Sequence, residues 1–239
     1  MIDNKYLLDS NILNIYQFGS RVYGNNTEES DYDYIFICKE YKDYDDINIQ
    51  VFTIESFKNS LNNHDIVVLE CLFLPDSNIY KKLWYDYQIV EWGNFKQLDK
   101  QKLRTSISTI TSNSWVKGKK KLTVANDYDK YLAIKSVFHS LRILDFGIQI
   151  ATENKIYNYS STNWLYYELV ELSDKYERDE LWDIIDNKYR SLYNSKSTEF
   201  KRLCPKELTT KHYEIELNKI LSKYNVTSGD IYKIIALFN

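Results

Sequence analysis

Asp31 and Asp33 bracket a single tyrosine shortly after the run Phe18-Gly19-Ser20-Arg21-Val22-Tyr23-Gly24. Ile15 to Phe18 predicts a short strand, and Tyr32 to Lys39, rich in Tyr, Ile and Phe, predicts a second. Side chains alternate along a strand, so Asp31 and Asp33 share one face at its start. Two carboxylates held that close repel each other unless a cation lies between them. Mg²⁺ typically takes one or two carboxylates together with phosphate oxygens. Gly19 and Ser20 let the backbone turn sharply and bring amide and hydroxyl donors near such a phosphate. The chemistry implied is phosphate handling at a divalent-cation site, with Mg²⁺, or Mn²⁺ in its place, as the cofactor. A plain β-hairpin with a polar Asn25-Asn26-Thr27-Glu28-Glu29 loop is the alternative. It leaves unexplained why both acids fall where the second strand begins.

A second constellation lies far along the chain. Lys135, His139 and Arg142 recur at i, i+4 and i+7, which puts them on one stripe of a helix, beside an apolar face of Ile134, Val137, Leu141 and Leu144. Lys offers a phosphate a point charge and Arg a planar fork. A solvated basic face with a structural His139 is the competing reading.

The elements that must position these groups follow from periodicity. Short β-type runs dominate to about residue 92, including Ile47 to Thr53 and Gln88 to Val90, with a helix over Ile54 to Asn62 between them. Ile66 to Leu74 is apolar throughout and of ambiguous type. Beyond it the pattern turns helical, with helices expected at 95–121, 128–151, 162–173, 176–202, 209–224 and 229–238. The expected fold is α+β, a small mixed sheet in residues 1–94 followed by an α-helical domain in 95–239, with a ligand cleft between them.

Composition narrows the class. A chain of 239 residues can bury a sizeable core, and a net charge of -3 argues against a general nucleic-acid coat. The sequence holds no apolar run of membrane-spanning length and no secretory leader pattern, so a cytosolic protein without a membrane partner is expected. Cys38, Cys71 and Cys204 are an odd number set among apolar residues and read as small core residues. Lys117, Lys119, Lys120 and Lys121 concentrate charge in five positions and form a candidate RNA or DNA contact, or a solvated helix end. The 22 tyrosines could offer stacking platforms, but read better as core and cleft-edge residues.

Gly-Ser-Arg-x-Tyr-Gly followed by Ser-Asp-x-Asp, with Lys-x-x-x-His-x-x-Arg-x-Leu and Gly147 downstream, resembles the DNA polymerase β-like nucleotidyltransferase superfamily. Within it the chain resembles a bacterial and phage family of predicted nucleotidyltransferases. Ser114-Trp115-Val116-Lys117-Gly118 and Leu69-Glu70-Cys71-Leu72-Phe73 match further segments of that family, and the likeness spans residues from about 14 to 150. The resemblance implies transfer of a nucleoside monophosphate from a nucleoside triphosphate to a hydroxyl of RNA, protein or a small molecule. It also implies Asp31 and Asp33 as metal ligands, and Gly19, Ser20, Arg21, Tyr23, Lys135, His139 and Arg142 as nucleotide-binding residues.

One departure stands out. The superfamily draws a third carboxylate from the next strand, where this chain carries Asn48 and Gln50. An amide neither neutralises a metal nor accepts a proton at neutral pH. Either Glu70 or Asp46 supplies the missing acid, with Glu70 favoured as an acid set among apolar neighbours, or the protein binds nucleotide without efficient turnover. The competing functional classes are therefore a nucleotide-binding regulatory or antitoxin-like protein and an RNA-binding module led by the lysine run.

Overall fold

The computed structural model describes residues 2–44, 48–84 and 98–206. Met1–Pro205 forms one compact unit, and Lys206–Asn239 is a second. The domain boundary expected at 94/95, the run Gln88 to Val90, Asp46 and the helices expected at 209–224 and 229–238 lie outside the described residues.

The fold is α+β. Helix α1 (Asn4–Leu8) precedes β1 (Ile12–Phe18), a single helical turn α2 (Ser20–Tyr23), β2 (Asp33–Cys38) and β3 (Ile49–Thr53). Then come α3 (Ile54–Asn62), α4 (Ile66–Phe73) and β4 (Ile79–Lys82), followed by α5 (Lys100–Thr123), α6 (Lys130–Glu153), α7 (Asn163–Lys175) and α8 (Arg178–Leu203). The mixed sheet has the order β3-β2-β1-β4. β1 runs antiparallel to β2 and β4, while β2 and β3 are parallel.

Alternation sorts β2 into two faces. Ile35 and Ile37 point into the main core with Tyr16, Phe57 and Leu69, whereas Tyr34, Phe36 and Cys38 pack on the opposite face with Tyr6, Tyr44 and Tyr80. The helical half has its own centre, where Trp115, Val137, Leu165, Leu181, Trp182 and Ile185 meet. Cys38, Cys71 and Cys204 are free and buried. Among the described residues no helix is long and apolar enough to cross a membrane.

Capping residues set the helix boundaries. Thr53 closes a capping box with Ser56 at the start of α3. Asp99 accepts from the amides of Gln101 and Lys102, and Asp129 from that of Leu132, so α5 and α6 begin at Lys100 and Lys130. The ambiguous Ile66 to Leu74 segment is the helix α4, buried on most sides and ended ahead of Pro75. β4 was not evident in the sequence. It has four residues, half of them lysine, as suits a sheet edge that must not recruit another strand.

Gly118, within the lysine run, lets α5 and α6 approach closely. A Cβ there would lie 2.6 Å from Cγ2 of Val137 and 3.2 Å from the carbonyl oxygen of Ala133. Gly118→Val is therefore expected to lower stability by about 1–3 kcal/mol through overpacking, read as a reduced urea midpoint. Val137→Ala in the same chain should recover part of the loss. A midpoint unchanged by Gly118→Val would mean that the two helices are not in close contact there.

Candidate functional site

The register of the central hairpin brings the two halves of the first motif together. Phe18, the last residue of β1, pairs with Asp33, the first of β2. The chain leaving β1 must turn at once, and Gly19 does so at φ 81 and ψ -160, a conformation open to glycine and strained for L side chains. Gly19 is also required for space, because a Cβ would overlap Oδ2 of Asp33 and lie 3.0 Å from its Cγ. The short turn α2 then closes at Gly24 (φ 77), whose amide donates to the Ser20 carbonyl at 2.9 Å.

Arg21 holds the returning loop rather than facing the cavity. Its Nη2 donates to the carbonyls of Ser30 at 2.6 Å and Glu28 at 3.3 Å, and its Nε to those of Ser30 and Asp31 at 3.2 and 3.3 Å. Its guanidinium also lies 3.9 Å from the ring centroid of Tyr32. With Nε and Nη2 engaged by backbone carbonyls, Arg21 positions the loop that carries Asp31.

The other residues singled out from the sequence meet around one cavity of about 730 Å³. From the sheet side come Gly19, Ser20, Tyr23, Asp31, Asp33 and Glu70, and from α6 come Lys135, His139 and Arg142. Asp31 is exposed and Asp33 half-buried. Burial pushes the Asp33 carboxyl above its ordinary range; Lys135 opposes that shift and Asp31 adds to it. Lys135 is exposed, its Nζ 4.8 Å from the ring centroid of Tyr131.

Behind this front edge the cavity wall is more enclosed. Glu70 is buried and accepts from the Tyr23 hydroxyl at 2.6 Å, while its backbone carbonyl accepts from the Tyr159 hydroxyl at 2.9 Å. Burial raises the Glu70 carboxyl; Arg142 and the Tyr23 hydrogen bond oppose this. Arg142 is buried too, with its guanidinium 3.6 Å from the Tyr23 ring centroid and its Nη2 2.9 Å from Nδ1 of His139. Burial, then the charges of Arg142 and Lys117, lower the His139 imidazole to about 3. It is therefore neutral at physiological pH.

Lys117 and Ser114 of α5 also line the cavity, as do Tyr131 and Tyr166. Lys117 belongs to the basic run and, with Ser114, to a segment that resembles the family, whereas Tyr131 and Tyr166 carry no sequence signal of their own. A helical wheel separates Lys117 only from Lys119, since Lys120 and Lys121 follow it at i+3 and i+4 on the same side, so tertiary packing rather than spacing selects Lys117. The run is in fact divided. Lys117 borders the cavity, Lys121 is ion-paired with Asp127, and Lys119 and Lys120 are exposed on α5. Trp115 is not a cavity residue; it packs against Trp182 and Tyr193 in the helical core.

The third acid stays unassigned to the metal site. Among the described residues no group of three or more His, Cys, Asp or Glu is arranged to hold a metal ion. Gln50 pairs with Ile35 and so shares the Asp33 face of the sheet, with Asn48 two residues before it. Amides thus hold that face of β3 at Gln50 and the position just ahead of the strand at Asn48, and neither is among the residues lining the cavity.

Compared with protein-family models, curated proteins and solved structures, the chain matches none of them.

The neutral imidazole carries a pH dependence with a definite sign. An unfolded histidine takes up its proton near pH 6.5, whereas folded His139 does so only near 3. Between those values the unfolded chain binds more protons, so the His139 contribution is complete above about pH 6.5 and is lost as pH falls toward 3. Asp33 and Glu70, raised in the fold, act with the opposite sign. His139→Asn keeps an acceptor for Arg142 and removes only the titration. Urea unfolding from pH 6.5 to 4 should therefore lose stability more steeply for wild type than for the variant, by at most about 1.4 kcal/mol per pH unit. Equal slopes would mean a charged imidazole in the folded protein.

Proposed function

We propose that the protein is a Mg²⁺-dependent nucleotidyltransferase that moves a nucleoside monophosphate from a nucleoside triphosphate to a hydroxyl acceptor and releases pyrophosphate. The observation that carries this reading is the Asp31 and Asp33 pair, set against the Gly19-Ser20 turn on one side of a cavity whose other side presents Lys135. A cavity of about 730 Å³ is of the size that small-ligand sites have.

The donor set fits the cation. Asp31 and Asp33 supply hard oxygen ligands, and the half-buried Asp33 is destabilised by its burial and by Asp31, a cost that a cation between them would relieve. Two carboxylates leave the remaining positions for phosphate and water, as Mg²⁺ prefers. When bound, the metal polarises the α-phosphate and stabilises charge on the attacking and leaving oxygens. Asp31 and Asp33 hold it, and Arg21 fixes the loop that carries Asp31. Gly19 and Ser20 offer amide and hydroxyl donors to the phosphates, while Lys135 balances charge growing on the departing pyrophosphate. The acceptor hydroxyl loses its proton to solvent as its oxygen bonds to the α-phosphorus; the bond to the bridging oxygen breaks, and pyrophosphate leaves with the electron pair.

A nucleotide-binding regulator is the second reading, favoured by one observation. Gln50 on β3 and Asn48 just ahead of it are amides where the family resemblance calls for an acid to receive the acceptor's proton.

With α-phosphate-labelled nucleotides and Mg²⁺, Asp31→Asn and Asp33→Asn are each expected to cut transfer by about 10²–10³-fold, since metal stabilisation of the transition state amounts to several kcal/mol. Asp33→Asn should also raise the urea midpoint of the metal-free protein. Full transfer by either variant would remove the assigned site.

The second reading has its own test. Asn48→Asp or Gln50→Asp should raise transfer by about tenfold or more, because a general base typically supplies 10²–10⁴-fold. If wild type and both variants bind nucleotide yet transfer nothing to RNA, protein or small-molecule extracts, the regulator reading is the correct one.

A further inference from the structure

The rear wall of the cavity holds a connected chain of side chains for which the aspartate pair has no need. Glu70 accepts the Tyr23 hydroxyl at 2.6 Å, the Tyr23 ring carries the Arg142 guanidinium at 3.6 Å, and Arg142 Nη2 donates to His139 Nδ1 at 2.9 Å. Arg142 cannot accept a hydrogen bond, so His139 Nδ1 is the acceptor and the imidazole proton resides on Nε2. That leaves the imidazole with a further donor.

Arg142 is unusual in what it lacks. It is 7% exposed, yet its hydrogen bond among the described residues goes to a neutral imidazole, and its Nε has no partner. A buried guanidinium is costly unless its charge and donors are met. Glu70 acts on it only from beyond Tyr23, by charge and not by contact. Lys117 and Ser114 line the same cavity from α5, and Lys117 is near enough to His139 to help hold it neutral. A planar fork, a point charge and an imidazole N–H around one space make a donor set suited to a phosphoryl group.

We propose that Arg142, His139 and Lys117 form an oxyanion subsite for a phosphoryl group, and that Glu70 and Tyr23 are positioning residues that hold the guanidinium toward it. This deepens the nucleotidyltransferase reading and rests on it for the ligand's source, which is either the triphosphate itself or a phosphorylated acceptor. Binding at the subsite needs no cation on Asp31 and Asp33. Glu70 acts through Tyr23, whose hydroxyl its carboxylate accepts.

The test uses inorganic pyrophosphate as the probe, titrated calorimetrically into the full chain in EDTA. Asp31→Asn/Asp33→Asn should retain the wild-type affinity. Arg142→Gln should lose about tenfold or more and Lys117→Ala about three- to tenfold, the range expected when charge-assisted hydrogen bonds are removed. Lys117 is exposed, so its variant tests the subsite even if Arg142→Gln unfolds. Glu70→Leu should weaken binding as Arg142→Gln does, while Glu70→Gln, which still accepts the Tyr23 hydroxyl, should restore affinity to within about threefold of wild type.

Loss of pyrophosphate binding in the aspartate double variant, or unchanged binding in both Arg142→Gln and Lys117→Ala, overturns the subsite and leaves the transfer reading standing. Failure of Glu70→Gln to restore binding in a folded protein overturns the positioning role. Retained binding by a protein that transfers nothing supports the subsite and removes the enzyme instead. Repeating the titration with Mg²⁺ and a non-hydrolysable nucleoside triphosphate identifies the source: competition indicates the triphosphate's own tail and independent binding a phosphorylated acceptor, both outcomes supporting the subsite.

Discussion

Everything at the candidate site depends on the missing side chain of Gly19. The antiparallel register that pairs Phe18 with Asp33 brings the end of β1 and the start of β2 side by side, so the chain must leave β1 in a direction that clears the Asp33 carboxylate. A left-handed φ of 81 does this, and the space that a Cβ would need is where that carboxylate sits. The geometry then propagates. One turn of helix follows, Gly24 reverses the chain, and Arg21 ties down the loop through the carbonyls of Glu28, Ser30 and Asp31. The same turn delivers Tyr23 to the interior, where α4 receives its hydroxyl through Glu70, α6 its ring through Arg142, and α7 its carbonyl through Asn163 at 2.7 Å. Tyr23 thus ties the turn after β1 to the helices that complete the cavity.

Charge is arranged along the cavity in a consistent way. At the front, Asp33 is acidic, half-buried and eased by Lys135. At the rear, Arg142 is buried and sits beside an imidazole that stays neutral, chiefly because burial disfavours the imidazolium and further because Arg142 already carries a charge there. The aromatic face of Tyr23 and the charge of Glu70 beyond it offset part of the cost of burying the guanidinium. Surface pairs such as Lys175 with Glu171 contribute little by comparison, since exposed ion pairs amount to about 0–1 kcal/mol. The stability of the compact unit therefore rests on its three apolar clusters, and the polar residues of the cavity wall are held against a cost rather than for a gain.

Different signals made different parts of this structure legible in the sequence. Strong periodicity revealed α5 through α8 within a few residues, and the capping side chains of Asp99 and Asp129 account for where α5 and α6 begin. β1, β2, β3 and α3 were evident because their apolar residues repeat cleanly; β4 was hidden because four residues ending in two lysines carry no pattern. α4 was ambiguous for a related reason, since a segment apolar all round has no period by which to tell strand from helix. At the site, the Gly-Ser turn, the aspartate pair and the α6 stripe could be read from spacing alone, and they do meet at one cavity. What spacing could not reveal was direction. Arg21 belongs to the same motif as Ser20 yet turns to the loop carbonyls, and Lys117 belongs to a basic run yet borders the cavity. Both outcomes depend on tertiary contacts that no local pattern encodes.

The amides of Gln50 on β3 and Asn48 just ahead of it fit the same electrostatics. The parallel register sets Gln50 beside Ile35, on the sheet face that Asp33 also uses. An acid at Asn48 or Gln50 would bring a further negative charge toward a carboxylate already raised by burial and by Asp31. Without a cation, that charge would add to the repulsion that Asp33 already meets from Asp31. An amide keeps the hydrogen-bonding capacity of the position and removes the repulsion, which favours the metal-free fold. The Gly19 turn and the cationic helical wall need no third acid to hold their places around the cavity.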